Sequence, residues 1–256
     1  MKKKFLCRIC FLLMLGTIFT IGVNAKSSQH WYCVHAKDHA RPRADASFSY
    51  IEKYDGYYIG KEQDEKVIYL TFDAGYENGN VAKILDILKE KQVPAAFFVL
   101  SHLVKKDTPL VTRMFDEGHT VCNHTANHKD MSRVDRTIFE KEISELSAIC
   151  LESTGREMAK YYRPPEGTFN EDNLKWAKEL GYKTIFWSFA YADWDNQRQM
   201  NVEAAKEKIV SNIHPGEVML LHPTSDTNVA VLGEVIDQCR DMGYRFGTLN
   251  ELVGQS

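Results

Sequence analysis

Six polar or ionisable side chains stand at the ends of short apolar runs. They are Asp73, the pair His124 and His128, Arg163, Asp193 and His222. A carboxylate and a histidine can serve as general base and general acid. Two histidines four residues apart share one face of a helical turn, so they could each give a nitrogen to one divalent ion. These residue types predict an acid–base site beside a metal ion.

The runs that precede these residues have the pattern of buried strands. They are short and rich in β-branched and aromatic side chains, as in VIYLTFD and EVMLLH. Stretches with helical spacing separate them, for example 81–91, 138–151 and 229–243. Such alternation requires parallel strands joined by crossover helices. Because polar residues follow several different strands, the pattern favours the α/β class and a distorted (β/α) barrel with about seven parallel strands.

Length and composition fit one globular domain with no nucleic-acid partner. The chain has 256 residues, 44% of them hydrophobic, and a formal net charge of −3. A chain of this size can form one sizeable core. Charges of both signs are interspersed, and no basic stripe is present for binding a phosphate backbone. No stable protein partner is predicted.

The first 25 residues are predicted to be a secretory signal peptide. Lys2, Lys3 and Lys4 precede an apolar stretch, and a small-residue pattern ends at Ala25. The domain is therefore expected to act outside the cytoplasmic membrane, with retention by an uncleaved signal anchor as the alternative. Residues 26–65 are predicted to be an N-terminal extension that packs on the barrel.

The residues around the polar positions suggest how these side chains support one another. Asp73 could act as a base or merely cap the next helix. Arg163 precedes two prolines that fix an extended loop, so it is well placed to pair with Asp73 and keep it ionised. Asp193 could orient His222, and Trp194 could form a wall of a substrate pocket.

Five short motifs occur in the order TFDAG, HTANH, RPPEG, YADW and LLH. In this order they resemble the motifs of polysaccharide deacetylases that share the NodB homology domain. The resemblance covers about residues 66–252, within a domain that we predict to span residues 66–256. It implies a distorted (β/α) barrel and metal-assisted hydrolysis of an N-acetyl group from an amino sugar in a polymer.

The resemblance also implies a role for each matching residue. In this assignment, Asp73 is the catalytic base, His222 is the general acid, Arg163 positions the base, and Asp193 tunes the acid. His124 and His128 bind the metal, and the backbone amide of Glu166 is a candidate oxyanion donor. Trp194 stays a candidate substrate contact on its own position, without a family role.

One position departs from the family pattern and bears on the metal. The family usually has a metal-binding aspartate directly after the base, and this chain has Ala74 there. A methyl group cannot bind a cation. The resemblance implies zinc, and two histidines without a carboxylate are expected to hold it weakly.

The sequence that flanks the motifs favours one subgroup of the family. TFDAGYENG, RPPEGTFN and FWSFAYADWD look most like the muramic acid deacetylases that serve δ-lactam formation in spore cortex peptidoglycan. Peptidoglycan glycan strands are then the expected substrate. Two alternatives are a deacetylase of N-acetylglucosamine in peptidoglycan or chitin-like oligomers, and a catalytically impaired carbohydrate-binding barrel. Only Ala74 favours the second alternative.

A muramic residue carries a lactyl group, and its free carboxylate would favour a nearby cation. Glu166 in the third motif would repel that carboxylate. A Lys or Arg from another loop could compensate for this repulsion.

Overall fold

The structure is a computed structural model that describes residues 27–255. The predicted signal peptide lies outside the described residues. Across 27–255, every helix is too short or too polar to cross a bilayer.

Twelve strands and eight α-helices are present in residues 27–255. The strands are β1 (Gln29–His30), β2 (Cys33–Val34), β3 (Arg43–Ala44), β4 (Gly56–Tyr57), β5 (Val67–Ala74), β6 (Ala96–Val99), β7 (Thr120–Asn123), β8 (Tyr161–Tyr162), β9 (Thr168–Phe169), β10 (Lys183–Ile185), β11 (Glu217–Leu221) and β12 (Arg245–Phe246). The helices are α1 (Val81–Lys91), α2 (Ser101–Lys106), α3 (Thr108–Asp116), α4 (Arg136–Thr154), α5 (Glu171–Glu179), α6 (Val202–Asn212), α7 (Asp226–Asp241) and α8 (Leu249–Leu252).

The main sheet has the strand order β11-β5-β6-β7-β8-β10-β4, and β12 pairs with the start of β5. Every strand pair in this sheet is parallel. The chain just after β10 returns to β11, where Phe189 forms a bridge to Met219. This curls the sheet into an irregular, incompletely paired ring. The predicted distorted (β/α) barrel with about seven parallel strands is confirmed.

Strand β5 shows how the sequence places polar groups inside the barrel. Alternate side chains of a strand point to opposite faces. Phe72 and Ala74 belong to the large apolar cluster that also contains residues of α1 and α7. Tyr69 belongs to a second cluster on the other face, and the same alternation directs Thr71 and Asp73 to that face. A carboxylate therefore lies at the carboxyl end of a buried strand.

The segment before the barrel strands is folded against them. Strand β1 pairs antiparallel with β9, and β4 joins the main sheet beside β10. A 3-10 helix spans Ala46–Tyr54. Trp31 stacks on Phe186 with ring centroids 4.3 Å apart, which ties this segment to the barrel. The domain boundary at residue 65 stays a prediction.

Candidate active site

A cleft of about 740 Å³ lies at the carboxyl ends of the barrel strands. The predicted site residues that line it are Asp73, His124, His128, Glu166, Trp194 and His222. The two other predicted residues, Arg163 and Asp193, are 0% and 1% exposed and lie directly behind Asp73 and His222. The fold thus brings together residues that are spread over about 150 positions of sequence.

Asp73 is held by a buried arginine. Arg163 Nη1 donates to Asp73 Oδ1 at 2.8 Å. Burial alone would raise the pKa of Asp73, but nearby positive charges, that of Arg163 foremost, and the Arg163 hydrogen bond together outweigh burial, and the pKa lies below its usual value. Asp73 is not the cap of α1, because Glu77 Oε2 accepts the Val81 amide at 2.9 Å. Asp73 is therefore an oriented, ionised carboxylate facing the cleft.

Arg163 is itself fixed by further contacts. Its Nη2 donates to Thr71 Oγ1 at 2.9 Å and its Nε to Ile185 O at 3.0 Å. The guanidinium carbon lies 4.1 Å from the centroid of the Phe98 ring. Thr71 was missed in the sequence, although it stands two residues before Asp73 and so on the same face of the strand. These contacts leave the guanidinium little freedom to turn from Asp73.

The two histidines after β7 are neighbours, but a helix does not bring them together. Residues 124–128 form an irregular turn, so the expectation of a helical HxxxH face is wrong. Thr125 and His128 both have positive φ, at 72° and 54°. Asn123 Oδ1 accepts the Thr125 amide at 2.9 Å, and Thr125 Oγ1 accepts the His128 amide at 3.0 Å. This turn places the rings of His124 and His128 5.0 Å apart.

The environment of His124 suits a cation ligand. Its Nδ1 donates to Arg163 O at 2.9 Å, because a carbonyl oxygen can only accept. Burial lowers the pKa of His124 to about 4, so the ring is neutral at pH 7 and Nε2 carries a lone pair. That Nε2 lies 3.5 Å from Asp73 Oδ2. Two acceptors facing each other with no proton between them favour a positive group nearby.

The donor set is nevertheless small. Within residues 27–255, no group of three or more His, Cys, Asp or Glu side chains is arranged to hold a metal ion. Ala74 is fully buried at the end of β5 and adds no ligand. The residues present fit a divalent ion bound by two imidazoles, with Asp73 close by.

His222 and Asp193 form the second polar pair of the cleft. His222 Nδ1 lies 2.7 Å from Asp193 Oδ1, and the His222 backbone amide donates to Asp193 Oδ2 at 2.8 Å. Burial would lower the pKa of His222, but the hydrogen bond and the charges of Asp193 and Asp73 outweigh it and raise that pKa. His222 is thereby stabilised in its protonated form, with Nδ1 committed to Asp193.

Asn228 completes this pair and was missed in the sequence. Its Nδ2 donates to Asp193 Oδ2 at 2.6 Å and to His222 O at 3.0 Å. Tyr191 OH donates to Asn228 Oδ1. The residue lies in the first turn of α7, where Ser225 caps the helix by accepting the Asn228 amide. Ser225 three positions before Asn228 is a helix-start signal that marks this turn.

We expect Asn228→Ala to weaken both folding and turnover. The change removes one of the two hydrogen bonds to Oδ2 of the buried Asp193 carboxylate. Loss of a hydrogen bond to a charged, buried group costs about 1–3 kcal/mol of unfolding free energy. Less restraint on His222 should lower kcat more than it raises KM. Urea unfolding and steady-state kinetics would test this, and unchanged stability would contradict the proposed contact.

The loop after β8 carries Glu166 at the cleft wall. Glu166 has φ 56° and ψ 11°, an unusual left-handed conformation for a residue with a side chain. Gly167 follows with φ 65°, and a Cβ there would lie 2.6 Å from the Trp187 ring. The backbone N–H of Trp31 donates to Gly167 O at 2.9 Å and holds the other side of the loop. The loop is packed tightly between two tryptophans.

Further cleft residues were not predicted. His30 and Tyr76 both line the cleft, and Asn196 Nδ2 donates to Tyr76 OH at 2.9 Å. Trp194 is 61% exposed at the cleft, and its ring centroid lies 6.2 Å from that of His222. No lysine or arginine of residues 27–255 lines the cleft, so none there compensates for Glu166.

Comparison with known proteins agrees with the motifs. The family profile described as "Polysaccharide deacetylase" matches residues 60–185. The peptidoglycan-N-acetylmuramic acid deacetylase PdaA of Bacillus subtilis is 37% identical over 98% of this chain and 96% of its own length. A peptidoglycan-N-acetylglucosamine deacetylase of Bacillus cereus is 32% identical over 82% of this chain and 76% of its own length.

A solved structure is similar over almost the whole described chain. That of Bacillus subtilis PdaA, described as a family 4 carbohydrate esterase, aligns with a TM-score of 0.85 and 38% identity. The alignment covers 89% of this chain and 97% of that one. Sequence, fold and cleft agree, and this chain belongs to the polysaccharide deacetylase family.

Proposed function

We propose that this protein removes the N-acetyl group from muramic acid residues of peptidoglycan by hydrolysis. The observation that carries the proposal is the pairing of Asp73 with Arg163 and of His222 with Asp193 in one cleft. One pair holds an ionised base, and the other favours the protonated form of an acid. The similarity to PdaA over nearly the full chain supports muramic acid as the sugar.

In this mechanism Asp73 removes a proton from a water molecule while the water oxygen attacks the acetyl carbonyl carbon. The depressed pKa keeps Asp73 ionised at neutral pH, and Arg163 holds the carboxylate in one orientation. The new C–O bond turns the amide carbon tetrahedral and puts negative charge on the former carbonyl oxygen. The backbone amide of Glu166 is our candidate donor to that oxygen.

His222 then completes the reaction. Its Nε2 gives a proton to the sugar nitrogen as the C–N bond breaks, which releases acetate and a free amine. Asp193 stabilises the imidazolium before the transfer and retains the Nδ1 hydrogen bond afterwards. The raised pKa of His222 favours the protonated form that the acid needs.

His124 and His128 would hold the divalent ion, which we propose to be zinc. When bound, such an ion polarises a carbonyl oxygen and lowers the pKa of water. The Arg163 carbonyl fixes the ring of His124 through Nδ1, which leaves Nε2 for the ion.

Loss of either histidine should reduce the bound metal. His124→Ala and His128→Ala are each expected to bring zinc binding close to background, because one imidazole alone is a poor zinc site. Ala74→Asp tests whether position 74 can reach the metal, because the Ala74 side chain lies in the apolar cluster. A lower zinc dissociation constant would show that the new carboxylate reaches the ion, and an unchanged one would show that position 74 does not face it. Calorimetric titration with zinc would measure all three. Unchanged affinity in both histidine variants would contradict the proposed ligands.

The proposed substrate lies outside the cytoplasmic membrane, in agreement with the predicted secretion signal. A role in δ-lactam formation in spore cortex stays a prediction. N-acetylglucosamine is the second candidate sugar, and the similarity to the Bacillus cereus enzyme favours including it in the test.

The test is mass spectrometry of purified peptidoglycan, and separately of N-acetylglucosamine oligomers, after incubation with the protein and a divalent metal. Loss of acetyl groups from muramic residues is the expected result. Loss only from glucosamine would favour the second sugar. No loss from either polymer with any metal would favour a carbohydrate-binding protein without activity.

A further inference from the structure

The cleft contains few groups able to meet a negative charge on the substrate. Its titratable lining residues are Asp73 and Glu166, which repel a carboxylate, Tyr76 and Tyr191, and four histidines. The Tyr191 hydroxyl already donates to Asn228. Three of the histidines, His124, His128 and His222, already have roles in the proposed reaction. The fourth is His30, which the mechanism leaves unused.

His30 reaches the cleft because the N-terminal segment adds a strand to its wall. Strand β1 pairs antiparallel with β9, and the register sets His30 opposite Thr168. The next residue, Trp31, is 5% exposed, and its indole Nε1 donates to Trp187 O at 2.8 Å. The backbone that carries His30 is therefore anchored from both sides.

The ring of His30 is oriented as well as its backbone. Its Nδ1 lies 2.9 Å from Thr168 Oγ1. When the Thr168 hydroxyl donates to Nδ1, the neutral ring carries its proton on Nε2. In the protonated ring, Nδ1–H donates to Thr168 Oγ1 instead, and Nε2 carries a proton as well. In both states Nε2 is a hydrogen-bond donor on an exposed side chain that lines the cleft.

We infer that His30 recognises the free lactyl carboxylate of the muramic residue through its Nε2–H. The inference rests on the proposed function and adds a specificity-determining residue to it. A hydrogen bond to a charged group is stronger than one between neutral groups, so this contact favours the acid over an uncharged form. Glu166 lies on the same cleft and disfavours the carboxylate, which makes a donor such as His30 more necessary.

The test compares two glycan substrates that differ only in the lactyl group. One carries the free carboxylate and the other its methyl amide. Acetate release is measured for the wild type, His30→Ala and His30→Gln, using the protein with added zinc. The matched control is His102→Ala, an exposed histidine on α2 that does not line the cleft.

We expect His30→Ala to raise KM for the acid by roughly 10-fold or more, as for a lost hydrogen bond to a charged group. KM for the amide and kcat for both substrates should stay close to wild type. His30→Gln should restore part of the loss through its amide donor, and His102→Ala should change nothing.

The outcomes separate this inference from the function on which it rests. Wild-type turnover of the muramic substrates together with an unchanged KM in His30→Ala would overturn the inference alone. An equal rise of KM for acid and amide would also overturn it, because a purely structural role affects both substrates. Absence of wild-type turnover on both muramic glycans, with turnover of N-acetylglucosamine oligomers, would overturn the proposed function and the inference together.

Discussion

Asp73→Asn should reduce kcat by roughly 10²- to 10⁴-fold, the contribution of a general base. The amide keeps the size of the carboxylate and can still accept from Arg163, but it cannot take a proton from water. The change also removes the negative charge beside a fully buried guanidinium. Breaking a buried ion pair costs about 3–5 kcal/mol, so the free energy of unfolding should decrease by up to that amount.

A surface pair provides the matched control. Asp116 accepts from Arg156 at 2.5 Å, and both side chains are about half exposed. An exposed pair of this kind contributes about 0–1 kcal/mol. Asp116→Asn should therefore leave kcat unchanged and stability nearly so. Near wild-type kcat in a folded, metal-bound Asp73→Asn would show that another group activates the water.

His222→Asn should have an effect of similar size, again roughly 10²- to 10⁴-fold in kcat. The asparagine cannot deliver a proton to the leaving amine. The pH profile gives a second and more specific readout. An acid must be protonated to act, so wild-type activity should fall as the pH rises through the raised pKa of His222, above the ordinary value of 6.5. Residual activity of the variant should lack this alkaline fall.

Asp193→Asn tests the cause of the raised pKa. The amide can retain an acceptor for His222 Nδ1 but loses the charge that favours the imidazolium. The alkaline fall in activity should therefore move to lower pH. The loss of activity at acid pH, which reflects protonation of Asp73, should still occur below the ordinary carboxyl pKa of 3.8. An alkaline limb that does not move in Asp193→Asn, or that persists in His222→Asn, would exclude His222 as the acid.

Strand patterns allowed most of this site to be predicted. Parallel strands place their carboxyl ends together, so Asp73 after β5 and His222 after β11 had to share one end of the barrel. The β5–β11 pairing that sets Leu221 beside Phe72 confirms this. Helices longer than eight residues were also evident from their spacing, whereas the six-residue α2 was missed because it barely completes one and a half turns.

Local backbone conformations and distant pairings could not be predicted. The turn that joins His124 to His128 depends on two residues with positive φ, neither of them glycine, and nothing in the spacing of the histidines indicates this. His30 reaches the cleft through a two-residue strand that pairs with residues almost 140 positions away. So short a strand has no periodicity to detect, and its partner is chosen by tertiary packing.

The position of His30 has a consequence for where the enzyme can act. His30 follows Ala25, the last residue of the predicted signal peptide, by five positions. Five residues span at most about 18 Å even when fully extended. If the apolar segment were retained in the bilayer, this short tether would keep the cleft at the membrane surface and limit it to the innermost glycan strands. Release by cleavage would open the full depth of the wall to the enzyme.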